Sequence, residues 1–229
     1  MAVGFFTHGI EYTLPHPKIP QRTVLLLCKV IKRAWQLLEE MPPSNFILQS
    51  ANEDTITQVL VDEIIENRLR KSGEIDGFNC ALFGKVIREP KITNFDKKHP
   101  DKMPDIFFDL KRDQLPILSN QDGLFVECKL VNNRLFSRYC KEGLIRFVNG
   151  DYAWAMQDAL MVGYVKGHYS FRKLASVLDG KKSAVLKTTK HSAVDKYTIY
   201  CSSHNRDFEW PESRGHACPI SVAHLWLPL

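Results

Sequence analysis

Two short apolar runs near the middle of the chain constrain its fold more than any other stretch. The first begins directly after Pro104-Asp105, and the second contains Glu127-Cys128-Lys129. Both runs are typical of β-strands, in which side chains two residues apart share a face. Glu127 and Lys129 are therefore predicted to point the same way, while Cys128 points into the core. A carboxylate and an ammonium on one strand face, with Asp105 nearby, indicate a site for a metal ion and water.

The apolar context of these residues is more informative than the letters themselves. An acid two residues before a lysine also occurs at Asp96 and Asp179, and a second Pro-Asp pair ends at Asp101. Only Asp105 leads into an apolar run, and only Glu127 lies inside one. They also occur in a fixed order, with 21 residues between them.

With these residues in this order, the segment resembles the PD-(D/E)xK nuclease superfamily, which has the restriction-endonuclease-like fold. The order of predicted elements extends the resemblance to residues 50–167. It implies an α/β fold with a central mixed β-sheet flanked by helices. It also implies a DNA endonuclease that hydrolyses phosphodiester bonds, and more loosely the effector of an anti-phage or restriction defence system.

The resemblance assigns roles to three residues. Asp105 and Glu127 are the expected catalytic metal ligands, and Lys129 is the expected catalytic residue that orients the attacking water. The chemistry agrees, because phosphodiester hydrolysis needs a cation that neutralises the phosphate oxygens and acidifies a water molecule. Carboxylate oxygens suit Mg²⁺, for which we expect Mn²⁺ to substitute. An ammonium at Lys129 would offset charge that develops in the transition state.

A further metal-binding acid is expected on the helix that precedes the strands, and two residues compete for this position. At about 100° per residue, Glu53 and Glu63 both fall on the inward half of that helix. Glu53 is favoured because it lies at the helix start, where a carboxylate reaches the site without being buried in mid-helix. Glu53 equally suits a favourable interaction with the helix dipole, so the choice stays open.

Two polar residues that follow the lysine strand are further candidates for the substrate side of the site. Arg146 and Gln157 are expected from the resemblance, since superfamily members often carry a basic or amide group at this position. The alternative, that they are surface residues on packed helices, is favoured by the sequence.

Four side chains near the C-terminus have the spacing of zinc ligands: Cys201, His204, His216 and Cys218. A Cys-x₂-His pair followed by His-x-Cys could bind Zn²⁺, although His-x-Cys is an unusual ligand pair. The alternative is that these residues lie on neighbouring β segments without a metal.

The pattern of apolar residues predicts nine elements in one mixed α/β arrangement. Helices are predicted at 22–40, 53–70, 134–148 and 151–167, and strands at 78–87, in the two central runs, at 196–203 and at 220–227. We divide the chain into residues 1–50, an N-terminal arm and helix that could serve docking or oligomerisation, and residues 51–229, the nuclease-like domain.

Composition says more about the cellular compartment and the kind of partner than about the activity. The net charge of +5 permits an anionic partner such as DNA, and six scattered cysteines without CxxC indicate a reducing cytoplasm. No membrane span is expected, and no P-loop, GxSxG, HExxH or GxGxxG pattern occurs. The alternatives to a defence nuclease are a non-catalytic nucleic-acid-binding or assembly module and a repair or junction-resolving nuclease. A homodimer, or a partner protein in a defence complex, fits either interpretation.

Overall fold

The fold is taken from a computed structural model, which describes residues 12–99, 101–112, 118–132, 136–167, 170–180, 184–194 and 199–229. Helix α1 is Gln21–Glu40, and helix α2 runs through Glu53–Gln58, a π-helical segment Val59–Leu69 and a last turn Arg70–Ser72. Helix α3 joins Phe136–Arg138, a π-helical segment Tyr139–Leu144 and Ile145–Asn149, and helix α4 is Phe171–Asp179. The strands are β1 (Phe83–Arg88), β2 (Ile106–Leu110), β3 (Gly123–Val131), β4 (Asp158–Val165), β5 (Thr188–Ala193), β6 (Ile199–His204) and β7 (Ile220–Pro228).

The strands form one mixed seven-stranded sheet in the order β1-β2-β3-β4-β7-β6-β5. Strand β4 lies between β3 and β7 and is parallel to both. All other neighbouring strands are antiparallel. The predicted α/β class and the central mixed sheet flanked by helices are confirmed. Strand β3 is thus an interior strand, which places the lysine motif near the middle of the domain.

Helices cover both faces of the sheet. Trp35 of α1 stacks on Tyr164 of β4 with ring centroids 5.4 Å apart, and Thr57 of α2 is hydrogen-bonded to the same tyrosine hydroxyl. On the opposite face, Gly143 of α3 lies so close to β3 that a Cβ there would be 3.4 Å from Cγ of Lys129. The two faces therefore have different helices, and the motif side chains lie under α3.

The predicted N-terminal unit shares the main hydrophobic core. The buried side of α1, including Leu27, Ile31 and Trp35, belongs to the same cluster as residues of the central strands. The division at residue 50 stays a prediction. None of the described helices is long and apolar enough to cross a membrane.

The helix predicted at 151–167 is wrong, because residues 151–157 are irregular and strand β4 (Asp158–Val165) follows them. All eight residues of β4 are buried, since the strand lies between β3 and β7 with helices over the sheet. A strand buried on both faces has a continuous apolar run instead of alternation. Such a run also contains apolar residues at helical spacing, so periodicity alone predicts a helix where the structure has a strand.

Smaller differences concern the ends of elements. The first strand begins at Phe83 and not at residue 78, because residues 79–83 form a turn in which Phe83 N donates to Asn79 O. Strand β5 and helix α4 were not predicted, and β5 begins inside a stretch that reads as a lysine-rich loop. Residues 1–11 of the predicted arm, residues 134–135 and residues 196–198 lie outside the described residues.

A buried polar chain crosses the sheet beneath α3. Tyr139 Oη lies 2.9 Å from His224 Nδ1, His224 Nε2 lies 2.7 Å from Ser202 Oγ, and Ser202 Oγ lies 2.6 Å from His204 Nε2. His204 Nδ1 lies 2.8 Å from the carbonyl of Leu186, to which it must donate. Because each neutral imidazole has one donor and one acceptor nitrogen, this hydrogen bond sets the direction of the others. Ser202 donates to His204, His224 donates to Ser202, and the Tyr139 hydroxyl donates to His224.

We expect His204 to make the protein sensitive to acid. Burial lowers the pKa of this imidazole from 6.5 to about 4, so its contribution to stability is complete above pH 6.5 and is lost as the pH falls towards 4. The difference in unfolding free energy between wild type and His204→Gln should therefore shrink by up to about 1.4 kcal/mol per pH unit across that range. Urea unfolding at pH 7 and pH 5 measures it, with His216→Gln at an exposed position as the control. A difference that stays constant or grows on acidification would contradict the assignment.

Candidate active site

Asp105 is fixed at the start of β2 by the neighbouring strand. Its carboxylate Oδ2 accepts a hydrogen bond of 2.6 Å from the backbone N–H of Cys128. In the pairing of β2 with β3, Ile106 lies opposite Val126. The bond from Cys128 to Asp105 therefore adds a side-chain acceptor just beyond the last paired residues of the two strands. The carboxylate of Asp105 is therefore held beside the Glu127-Cys128-Lys129 segment.

Glu127 and Lys129 share one face of β3, as their spacing predicts. In the parallel pairing with β4 they lie opposite Met161 and Gly163. Neither side chain is a solvated surface group, because Glu127 is completely buried and Lys129 is only 7% exposed. Two buried ionisable groups of opposite charge require each other as partners.

The ammonium of Lys129 is the meeting point of the site. Its Nζ lies 2.9 Å from Glu127 Oε1, 3.0 Å from Glu53 Oε1 and 3.6 Å from Asp105 Oδ2. It also donates a hydrogen bond of 2.8 Å to the carbonyl of Cys128. Three carboxylates from three separate elements are thus gathered around one cation.

The structure brings Glu53 to this cluster and leaves Glu63 exposed to solvent. Glu53 is the first residue of α2, and its second oxygen accepts a hydrogen bond of 2.7 Å from Leu130 N. Glu63 lies on the π-helical part of α2, where the wider turn invalidates an extrapolation at 100° per residue. Of the two predicted positions, the helix start is therefore the one at the site.

Glu127 has two further partners. Arg146 Nη1 donates to Oε1 at 3.1 Å, and the hydroxyl of Tyr152 donates to Oε2. Arg146 thus lies beside the site, whereas Gln157 donates to the backbone carbonyl of His16. Tyr152 was missed by sequence reasoning, which assigned aromatic residues to the core and had no local signal for a buried hydroxyl.

Burial and the charges of the cluster raise the pKa values of Asp105, Lys129 and Tyr152. Burial, followed by the charge of Glu127, raises the pKa of Asp105 to about 7 despite the opposing effect of Lys129. Burial alone would lower the pKa of Lys129, but the carboxylates of Glu127, Asp105 and Glu53 together raise it above its usual value. Burial and the charge of Glu127 also keep the pKa of Tyr152 well above the usual phenol value. The raised pKa values favour a charged Lys129 and a protonated hydroxyl on Tyr152.

The four residues considered for zinc do not converge. His204 is buried within the polar chain, His216 is exposed near Glu209, and Cys218 accepts from Arg206. Within the described parts of the chain, no three or more His, Cys, Asp and Glu side chains are grouped so that they could hold a metal ion. That statement includes the carboxylates around Lys129, whose shared contact in the structure is the ammonium.

The cluster therefore combines hard oxygen donors, a fixed cation and a buried network that holds them in place. Glu53 and Asp105 retain 25% and 21% side-chain exposure, so the cluster is open to solvent on their side. Chemically, such an arrangement combines oxygen atoms of the kind that hard cations prefer with a positive charge that could stabilise a negative one. Comparison with protein-family models, with curated proteins and with solved structures found no match for this chain.

Proposed function

We propose that this protein is a metal-dependent DNA endonuclease that hydrolyses phosphodiester bonds. The observation that carries the proposal is the meeting of Glu53, Asp105 and Glu127 at the ammonium of Lys129. These residues come from α2, the start of β2 and β3, and they are far apart in the sequence. Burying so many charges at one point is costly for a merely structural contact, which favours a functional reason.

The chemistry of the donors supports Mg²⁺ as the metal. The carboxylates of Glu53, Asp105 and Glu127 and the carbonyl of Cys128 are hard oxygen ligands, and in the structure they surround the ammonium of Lys129, which is itself a cation. When bound, Mg²⁺ or Mn²⁺ would neutralise phosphate oxygens and acidify a water molecule.

The chain's own groups then position the reactants. Lys129 orients the water by hydrogen bonding and offsets the charge that develops on the phosphate. Arg146 holds Glu127, and its side chain is 39% exposed, so a phosphate can approach it from solvent. Tyr152 keeps the Glu127 carboxylate in one orientation.

DNA as the substrate, action in the cytoplasm and a role in anti-phage or restriction defence are parts of the same proposal. Their support is the motif resemblance together with the net charge of +5. A homodimer would allow both strands of a duplex to be cut. A junction-resolving or repair activity differs only in the form of DNA that is attacked.

We expect Asp105→Asn to abolish cleavage, because the amide keeps the shape of the side chain but removes the charge that attracts the cation. Purified protein is incubated with Mg²⁺ or Mn²⁺ and supercoiled plasmid, linear duplex, single strands, a four-way junction and an RNA hairpin. Asp101→Asn, which alters the neighbouring Pro-Asp pair, is the matched control and should cleave like wild type. Cleavage by Asp105→Asn, or intact nucleic acid in every wild-type reaction, would contradict the proposal.

A second candidate is a non-catalytic nucleic-acid-binding or assembly module on this fold. The observation that favours it is that the three carboxylates are already neutralised in part by Lys129, without a metal. Calorimetry separates the candidates, since this module would bind DNA without any Mg²⁺ or Mn²⁺ binding that depends on Asp105.

A further inference from the structure

We infer that the ammonium of Lys129 holds the cation position in the metal-free protein, and that a divalent metal binds by displacing it. The inference rests on the proposed function and assigns Lys129 an additional task there, as a resident competitor of the metal. Binding of Mg²⁺ or Mn²⁺ is then an exchange of one cation for another, with a movement of the lysine side chain.

The contacts of Lys129 are those of a bound cation. An ammonium has three N–H donors, and Nζ lies within 3.0 Å of oxygens of Glu127, Glu53 and the Cys128 carbonyl. Asp105 completes the surroundings at 3.6 Å. These are the oxygens that suit a hard metal ion, so the metal and the ammonium cannot use them together without strong repulsion.

The surroundings favour movement of the lysine towards solvent. Behind its stem lies α3, where an ideal Cβ at Gly143 would be only 3.4 Å from Lys129 Cγ. Glu127 is completely buried, whereas Glu53 and Asp105 are partly exposed, so solvent reaches the ammonium from their side. Displacement in that direction would leave Lys129 on the solvent side of the carboxylates, where it could orient a water molecule. The same residue can thus stabilise the metal-free site and then orient the attacking water.

Mn²⁺ calorimetry on three proteins tests the exchange. Lys129→Met removes the ammonium and keeps much of the stem, so we expect it to bind Mn²⁺ at least about tenfold more tightly than wild type. Lys111→Met is the control for a general loss of positive charge, because Lys111 follows the opposite end of β2 and contacts the Cys80 carbonyl. It should bind like wild type. Equal or weaker binding by Lys129→Met, or an equal gain in Lys111→Met, would overturn the inference.

The outcomes separate this inference from the proposed function. If wild type and Lys129→Met bind Mn²⁺ equally and both lose it with Asp105→Asn, only the displacement is wrong. If neither binds Mn²⁺, the metal-dependent function fails as well.

A measurement on the unaltered chain decides the matter if Lys129→Met does not fold. With ¹⁵N-labelled lysine, Mg²⁺ should shift the Nζ resonance of Lys129, identified by its absence in Lys129→Arg. Mg²⁺ binding that leaves this resonance in place would exclude displacement.

Discussion

Replacing Glu127 by alanine is expected to destabilise the protein by about 3–5 kcal/mol, because it removes the carboxylate that lies closest to the buried ammonium of Lys129. Glu127 is completely buried and holds Lys129, Arg146 and Tyr152 at once. Its removal also takes away a proposed metal ligand, so cleavage should be lost. Urea unfolding measures the stability and the plasmid assay measures the cleavage.

The matched control is Glu142→Ala, on the helix that covers the site. Glu142 pairs with Arg138 one turn away, with both side chains about half exposed, so its loss should cost no more than about 0.5 kcal/mol. Similar destabilisation by the two replacements would show that the network around Glu127 is not the source of its effect.

Arg206→Met is expected to have an effect of similar size, at least about 3 kcal/mol, although Arg206 contacts none of the proposed catalytic residues. The guanidinium is 5% exposed and donates to four backbone carbonyls, those of Ala153, Trp154, Met156 and Cys218. Methionine can fill much of the volume but cannot donate, so the carbonyls of Met156 and Cys218 lose this donor, whereas those of Ala153 and Trp154 keep Met156 N–H and Trp210 Nε1.

The segment that Arg206 holds connects Tyr152 to β4, and Ala153 within it has a positive φ of 54°. We therefore expect Arg206→Met to weaken cleavage through the position of Tyr152, in addition to its effect on unfolding. Arg138→Met, at an arginine that is 52% exposed, is the control and should be nearly neutral. An Arg206→Met protein as stable as wild type would contradict the assigned role of these hydrogen bonds.

The central part of the site could be predicted because it depends on local rules. The two-residue period of a strand places Glu127 and Lys129 on one face, and the apolar context separates Asp105 from the other Pro-Asp pair. The cost of burying a carboxylate in mid-helix favours Glu53 over Glu63 without deciding between them. Each of these steps needs only neighbouring residues.

The rest depends on contacts between distant segments. Strand β4 is buried on both faces, so its sequence lacks the alternation that distinguishes a strand from a buried helix. The hydroxyl of Tyr152 donates to Glu127, and the segment that follows Tyr152 is held by Arg206, which lies beyond β6 in the sequence. The convergence of carboxylates on Lys129 likewise requires the packing of α2 against the end of β3. No spacing rule within one element contains this information.

The central claim, that the cluster around Lys129 is a metal-dependent nuclease site, is tested most directly by removing and restoring the metal. Wild-type protein treated with EDTA and dialysed is incubated with supercoiled plasmid, and Mg²⁺ is then added in steps. We predict no cleavage without Mg²⁺, cleavage that rises with Mg²⁺ until it saturates, and no recovery at any concentration for Asp105→Asn. Cleavage that persists in EDTA, or that Mg²⁺ restores equally in Asp105→Asn, would contradict the account.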